Sequence, residues 1–568
     1  MSERLSPTAA VVRAYQRLRE WNDPAMLIHV REETDALAAA VAIEAKAAPG
    51  PLAGLVFAVK DNIDVAGMPT TAACPAFKYD AEKSAFVVAR LEAAGAIVIG
   101  KANLDQFATG LVGVRSPYGV PRNALNPALI PGGSSSGSAT SVAAGVVDFS
   151  LGTDTAGSGR IPAGMNGIVG LKPTLGLFSS TGMVPACRTL DTISIFARTV
   201  DLATEVAAVA AAYDAADAYS RKLPAPVAGG KPPKFRVGVS PSWQRKFFGD
   251  AHAEAAYAAD LEKLKGLGAE LVEIDFEPLH AVARLLYEGP WVAERYAATK
   301  PLIEENPGAF HPVTLKIIGG AEGLTAVAAF EAMYRLADLR RQTAPILDNV
   351  DCLAVATVPR MYTVAELEAD PIALNSNLGS YTNFVNLLDL SAISVPAGMR
   401  GDGLPSSLTL VGKAGADGYL AGIARAIEGA PELAQKAAPG RIEVAVVGAH
   451  LSGLPLNHEL TDLGGTFVRE GETASEYALH ALATTPAKPG LVRVPSGGSK
   501  IAVEVWSLDA DGFGRFVNGI PAPLSIGTVK LADGTTPKGF LAEGAAVTGA
   551  EDITRYGGWR AYLSRAVA

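Results

Sequence analysis

The chain has 568 residues, 49% of them hydrophobic and 19% charged, which is enough apolar material for more than one compact core and excludes a disordered composition. A net charge of −9 excludes non-specific nucleic-acid binding, which needs a basic footprint, but is compatible with a small anionic substrate held by a local cation. Cys74, Cys187 and Cys352 are too few and too scattered for a disulfide framework or a zinc site. The N-terminus lacks a signal-peptide pattern and no run of about eighteen apolar residues offers a membrane span. A cytoplasmic protein with reduced, buried thiols, no metal and no cofactor is therefore expected.

Ser6 and Pro7 ahead of Val11, Val12, Tyr15, Leu18 and Trp21 predict a capped amphipathic helix. A second helix is predicted over 34–47, with Glu32 and Glu33 near its positive end and Pro49, Gly50 and Pro51 as its stop. The apolar run 52–60, LAGLVFAVK, predicts a buried strand ending on Lys60, where the loop DNIDVAGMPT begins. A helix over 84–95 and a strand over 96–101 repeat the alternation and point to an α/β fold with a mixed or parallel sheet. After the loop NLDQFATGLVGVRSPYG come a helix over 138–144, a strand over 146–151, a tight loop over 152–159 and a helix opened by Arg160 and Pro162.

An alanine-rich helix from 199 gives way to a proline-containing linker that ends near 226. Strands over 234–239 and 269–276 then flank a helix over 252–267. A helix over 327–343 is expected to stop before Pro345, because a proline disfavours helical geometry in the residue ahead of it. Strands follow over 352–357 and 393–395. Residues 1 to about 425 thus read as one large α/β unit. The Pro-, Ala- and Gly-rich segment 428–440 is the best boundary, and beyond it short strands over 442–447, 490–494, 500–507 and 545–548 predict a separate β-rich module. The expected domains are 1–430 and 441–568.

The stretch 131–174, PGGSSSGSATSVAAGVVDFSLGTDTAGSGRIPAGMNGIVGLKPT, holds two glycine–hydroxyl loops around one apolar segment. Neither loop fits a phosphate-binding pattern. Amide hydrolysis needs a nucleophile, a base and donors for the developing oxyanion. A Ser-His-Asp triad finds no local support, because none of the seven histidines lies between Lys60 and Thr174. A lysine base is the alternative, and it must be neutral, hence desolvated. Lys60 as base, Ser134 as proton relay and Ser158 as nucleophile meet these needs, with backbone N–H groups of the 155–158 loop as oxyanion donors. A surface lysine and a flexible serine–glycine linker are the competing readings of the same residues.

The segments AVKDNIDVAG, GGSSSGSA and GTDTAGSGRIPA followed by GLKPT strongly resemble the amidase signature family over roughly residues 50 to 425. The resemblance implies a core with a mixed central sheet covered by helices. It also implies Lys60 as the base, Ser134 entered through a cis peptide, Ser158 as the nucleophile 24 residues on, and Thr155, Ala156, Gly157 and Ser158 as the oxyanion hole. The C-terminal segments GAHLSGLPLNHEL, EVWSL, FGRFVNGIPAPLSIGTVKLADG and ITRYGGWRAYL are similar to the C-terminal domain of the family's allophanate-hydrolysing branch. Val114 stands where that branch leads one to expect a threonine.

The branch implies conversion of allophanate to ammonia and carbon dioxide through an N-carboxycarbamate product, in urea degradation. It implies Tyr287 and Arg295 as carboxylate-binding residues, against the alternative of an ordinary helical surface pair. His450 is the candidate for a C-terminal decarboxylation site, against a structural histidine. Urea carboxylase is the implied pathway partner, supplying allophanate from a separate protein, and a homodimer is the family's pattern; no nucleic acid or membrane is implied. A broader amidase or an amidotransferase-type subunit is the alternative within the family. A catalytically silent binding or assembly protein is the alternative outside it.

Overall fold

The computed structural model describes residues 4–433 and 435–565. The first helix, Pro7–Trp21, starts on Ser6, whose Oγ accepts the Ala9 amide, and buries Ala10, Val11, Ala14 and Tyr15. Together with Ala36, Ala40 and Ile43 of the helix Glu33–Glu44, this face packs on Val56, Ala58, Ile97 and Ile99 of the sheet.

Among the described residues the sheet has eleven strands: β1 Leu27–Val30, β2 Val56–Lys60, β3 Ile97–Ala102, β4 Phe149–Asp154, β5 Val169–Lys172, β6 Thr192–Ala197, β7 Phe235–Val239, β8 Ala269–Glu273, β9 Cys352–Ala356, β10 Ser391–Met399 and β11 Pro405–Gly412. Their order is β1-β3-β2-β4-β6-β5-β10-β11-β9-β7-β8. β2 runs parallel to both β3 and β4, whereas β6 pairs antiparallel with β4 and with β5. The sheet is therefore mixed and helix-covered, as the α/β alternation predicts. β2, β3, β4 and β6 are buried at every position, so both of their faces are covered.

Two local expectations are corrected. The helix expected to end before Pro345 spans Ala326–Asp348 with Pro345 inside it. A proline forfeits one backbone hydrogen bond and clashes with the turn before it, and here it sits in the last turn, where little helix remains to be disrupted. The strand expected over 545–548 is a 3₁₀ turn, Gly544–Val547.

By compactness the described residues divide into two units. The first takes the residues up to Ala225 with Val237–Gly266 and Leu271–Ala414; the second takes Pro226–Arg236, Leu267–Glu270 and the residues from Gly415 on. In the second unit β12 Ile442–Val446, β13 Thr466–Glu472, β14 Tyr477–Leu482, β15 Lys488–Arg493, β16 Ala502–Leu508, β17 Leu524–Thr528, β18 Lys538–Ala542 and β19 Glu551–Asp552 form two sheets. One is ordered β13-β16-β12-β18-β17 and the other β15-β14-β19. The helix Asp417–Glu428 packs with this unit. Among the described residues no helix is long and apolar enough to cross a membrane.

Candidate active site

Parallel pairing of β2 between β3 and β4 carries Lys60 to the carboxyl end of a central strand, where its backbone cannot leave the core. Its side chain is 0% exposed, which rules out the surface-lysine reading. Its Nζ lies 2.7 Å from Ser134 Oγ and 2.7 Å from Thr153 Oγ1, and no carboxylate comes within ion-pairing distance of it among the described residues. Burial pulls its pKa down to about 7, against the opposing pull of Asp105, Asp191 and Asp154. An amine held in this state can accept a proton from an adjoining hydroxyl.

Ser134 follows a cis peptide bond from Gly133, and its carbonyl accepts the Asp105 amide at 3.0 Å. The Asp105 carboxylate accepts the amides of Val112, Gly113 and Arg115 at 2.9–3.1 Å and so folds the 105–115 loop around itself. It also occupies the space that a side chain on Gly133 would need. The helix Ser136–Ala143 then leaves the loop fully buried through Val142, which its small residues permit.

β4 delivers Thr153 and Asp154 and ends at the second loop. Asp154 holds Arg160 through two 2.9 Å contacts and accepts the Gly159 amide at 3.0 Å. Burial raises the Asp154 carboxyl, and Arg160 overrides this, so that its pKa lies below the usual range. Thr155 Oγ1 donates to the half-buried Asp191, which also accepts the amides of Ala186 and Cys187; desolvation pushes Asp191 up to about 6. With both ends fixed, the amides of Thr155, Ala156, Gly157 and Ser158 have no hydrogen-bond partner among the described residues. A run of free, buried N–H groups has the donors to hold an anion.

Ser158 is 2% exposed, and its Oγ donates to Gly110 O at 3.4 Å instead of to Ser134. The structure thus joins Lys60 to Ser134 and leaves the second step of the expected relay open. Thr153, the second hydroxyl on Lys60, was not among the residues predicted. It lies in the same GTDT run as Thr155, and its inward position follows from strand alternation.

Tyr287 and Arg295 lie on different helices, Glu277–Glu288 and Val292–Glu305, so they are not a surface pair on one helix. Arg295 is 2% exposed, with its guanidinium 5.7 Å from the Tyr287 ring centre. Its Nη1 donates to Ala108 O and Thr109 Oγ1 at 3.2 and 3.3 Å, while Nη2 is buried without a partner among the described residues. Tyr287 is half-buried and lines a groove with Val292, Ile317, Ile372 and Asn375. In the second unit His450 is nearly buried, bonds Glu459 through Nε2 at 2.7 Å, stacks on Phe540 at 4.8 Å and meets the edge of Phe516 at 5.2 Å. Cys74, Cys187 and Cys352 are free and buried. Among the described residues no group of three or more His, Cys, Asp or Glu is placed to hold a metal ion.

A mixed sheet with a buried lysine on one serine and a second serine in a loop of free amides defines an amidase. Residues 9–420 match the Amidase family model, and the chain belongs to that family. Residues 442–564 match the allophanate hydrolase C-terminal domain, which gives the chain the domain order of the allophanate hydrolases. The urea amidolyase of Lachancea kluyveri is 43% identical over 90% of this chain, but the chain spans only 30% of that relative's length. The allophanate hydrolase structure from Kluyveromyces lactis superposes with a TM-score of 0.77 at 39% identity, covering 99% of this chain and 97% of that one. The A-type subunit of the glutamyl-tRNA(Gln) amidotransferase of Synechococcus sp. is 35% identical over 65% of this chain and 82% of its own length.

Proposed function

We propose that the chain hydrolyses the terminal amide of allophanate, releasing ammonia and then carbon dioxide, as a step in urea degradation. The observation that carries the amide hydrolysis is the state of Lys60, buried, pulled down to about 7 and hydrogen-bonded only to hydroxyls among the described residues, and the match of residues 442–564 to the allophanate hydrolase C-terminal domain supports the substrate. Lys60 takes the proton of Ser134, and Ser134 takes that of Ser158 once Ser158 turns from Gly110 towards it. Ser158 Oγ attacks the amide carbonyl, whose oxygen collects charge opposite the free amides of Thr155, Ala156, Gly157 and Ser158. The stored proton passes to the nitrogen, ammonia leaves, and an acyl-enzyme remains. Water, deprotonated by the same route, cleaves it to N-carboxycarbamate and frees Ser158. That product loses carbon dioxide to give carbamate, which yields a second ammonia and a second carbon dioxide.

Arg295 Nη2 is a buried donor awaiting an acceptor, and a carboxylate in the groove beside Tyr287 fits it. In this reading the amidase domain is 1–430 and the second domain 441–568, and His450 assists the decarboxylation, with its imidazole held by Glu459 between aromatic rings. The enzyme works as a cytoplasmic homodimer fed by a urea carboxylase; the urea amidolyase relatives support that pathway link. The amidotransferase relative matches 65% of this chain, and the allophanate hydrolase C-terminal domain at 442–564 disfavours the amidotransferase reading.

Ser158→Ala should lower ammonia release from allophanate by about 10⁴-fold or more with unchanged thermal stability. Full turnover by that variant would remove Ser158 from the mechanism. Arg295→Ala should raise KM for allophanate more than for neutral biuret, and an equal effect on both would take Arg295 out of carboxylate recognition.

A further inference from the structure

Thr382 precedes the short helix Phe384–Leu387 and is 0% exposed, yet its Oγ1 has no hydrogen-bond partner among the described residues. Buried hydroxyls are nearly always satisfied, so an orphan calls for a missing partner. Loose packing does not explain it. The Thr382 amide donates to Gly379 O at 3.2 Å, and its carbonyl accepts both terminal nitrogens of Arg160 at 3.3 Å. Arg160 is the same guanidinium that grips Asp154 at the foot of the 155–158 loop. The hydroxyl is thereby fixed against that loop: a Cβ built on Gly157 would lie 2.5 Å from Thr382 Oγ1 and 2.7 Å from its Cβ. Gly157 stands between Ala156 and Ser158, whose amides also lack acceptors. One unpartnered hydroxyl and a run of unpartnered amides therefore share one small volume.

We propose that Thr382 Oγ1 donates a hydrogen bond to the oxygen of the reacting carbonyl, adding one side-chain donor to the backbone donors of the oxyanion hole. The inference rests on the reading of residues 155–158 given above. Binding of the substrate supplies the missing acceptor, and the bond tightens as that oxygen gains charge in the tetrahedral state.

Thr382→Val keeps the shape and removes the hydroxyl, whereas Thr382→Ser keeps the hydroxyl. For allophanate, Thr382→Val is expected to lose about 100-fold in kcat with KM changed less than about threefold, and Thr382→Ser to stay within about fivefold of wild type. The thermal midpoint of Thr382→Val should equal or exceed that of wild type, because an orphaned polar group is gone. Wild-type kcat in Thr382→Val overturns the proposal. Equal losses in both variants with lowered midpoints overturn it too, since that is the pattern of a structural role. If the wild-type chain releases no ammonia from allophanate, the substrate reading fails instead. Labelling of Ser158 by a fluorophosphonate, whose phosphoryl oxygen uses the same donors, still reads Thr382: about 100-fold slower labelling of Thr382→Val supports it and an unchanged rate overturns it. A wild-type chain that is neither turned over nor labelled overturns both.

Discussion

Lys60 ends its strand and Lys101 stands one residue before the end of the neighbouring parallel strand, one register step apart, since Val59 faces Lys101 and Lys60 faces Ala102. Both side chains are 0% exposed. Lys101 is closed in by an acid: its Nζ meets Asp61 Oδ1 at 3.1 Å, with Pro69 O and Thr70 Oγ1 each at 2.9 Å. Among the described residues the Lys60 Nζ is hydrogen-bonded only to Ser134 and Thr153. Burial lowers the pKa of both lysines; for Lys101 the adjoining Asp61 pulls back, whereas Lys60 has only more distant carboxylates to oppose the cost. One carboxylate in contact separates a buried cation that holds a loop from a buried amine able to take a proton.

Substitutions at the two sites should therefore fail in opposite ways. Lys60→Met should lower kcat by about 10³-fold, within the usual range for a lost general base, with stability within about 1 kcal/mol of wild type. A stability loss as large as the activity loss would break the contrast. Lys101→Met leaves Asp61 buried without its cation and should cost about 3–5 kcal/mol, read as a shift of the first urea transition. Residual folded enzyme should keep near-normal kcat, and a stable but inactive Lys101→Met protein would place Lys101 in the chemistry.

The pH profile sharpens the comparison further. Lys60 accepts a proton only when neutral, so kcat/KM should rise with pH through a midpoint of about 7 and be lost below it. An enzyme whose rate is flat from pH 5 to 9 would exclude a lysine base of this kind. The smallest expected effect is that of Thr153→Val. It removes one acceptor from the charged form of Lys60, and the midpoint should move to lower pH by less than about one unit.

Much of the site was legible because strand and loop signals bracket it. Lys60 closes an apolar run, and the two glycine–serine loops flank a strand, so pattern alone places them at one sheet end. Asp191 and Thr382 reach the same place through the tertiary fold, and no local signal marks them; Arg295 is marked by the family resemblance alone. The strand β13 was missed since its sequence TFVREGE is half polar; it buries Arg469, which contacts Glu443 at 2.8 Å. The run 545–548 was misread because short apolar runs take turn or strand form according to whether a neighbour is there to pair with.

The packing of Asp105 against Gly133 and of Thr382 against Gly157 bears on how this catalyst can be changed over time. Both glycines sit where any side chain would collide with a group that shapes the loops, so neither is open to a single neutral replacement. The walls supplied by Tyr287, Val292 and Ile372 face a groove and carry no such restriction. A laboratory lineage selected for a different small amide should accumulate its first changes along those walls, while the two loops between 131 and 160 stay as inherited.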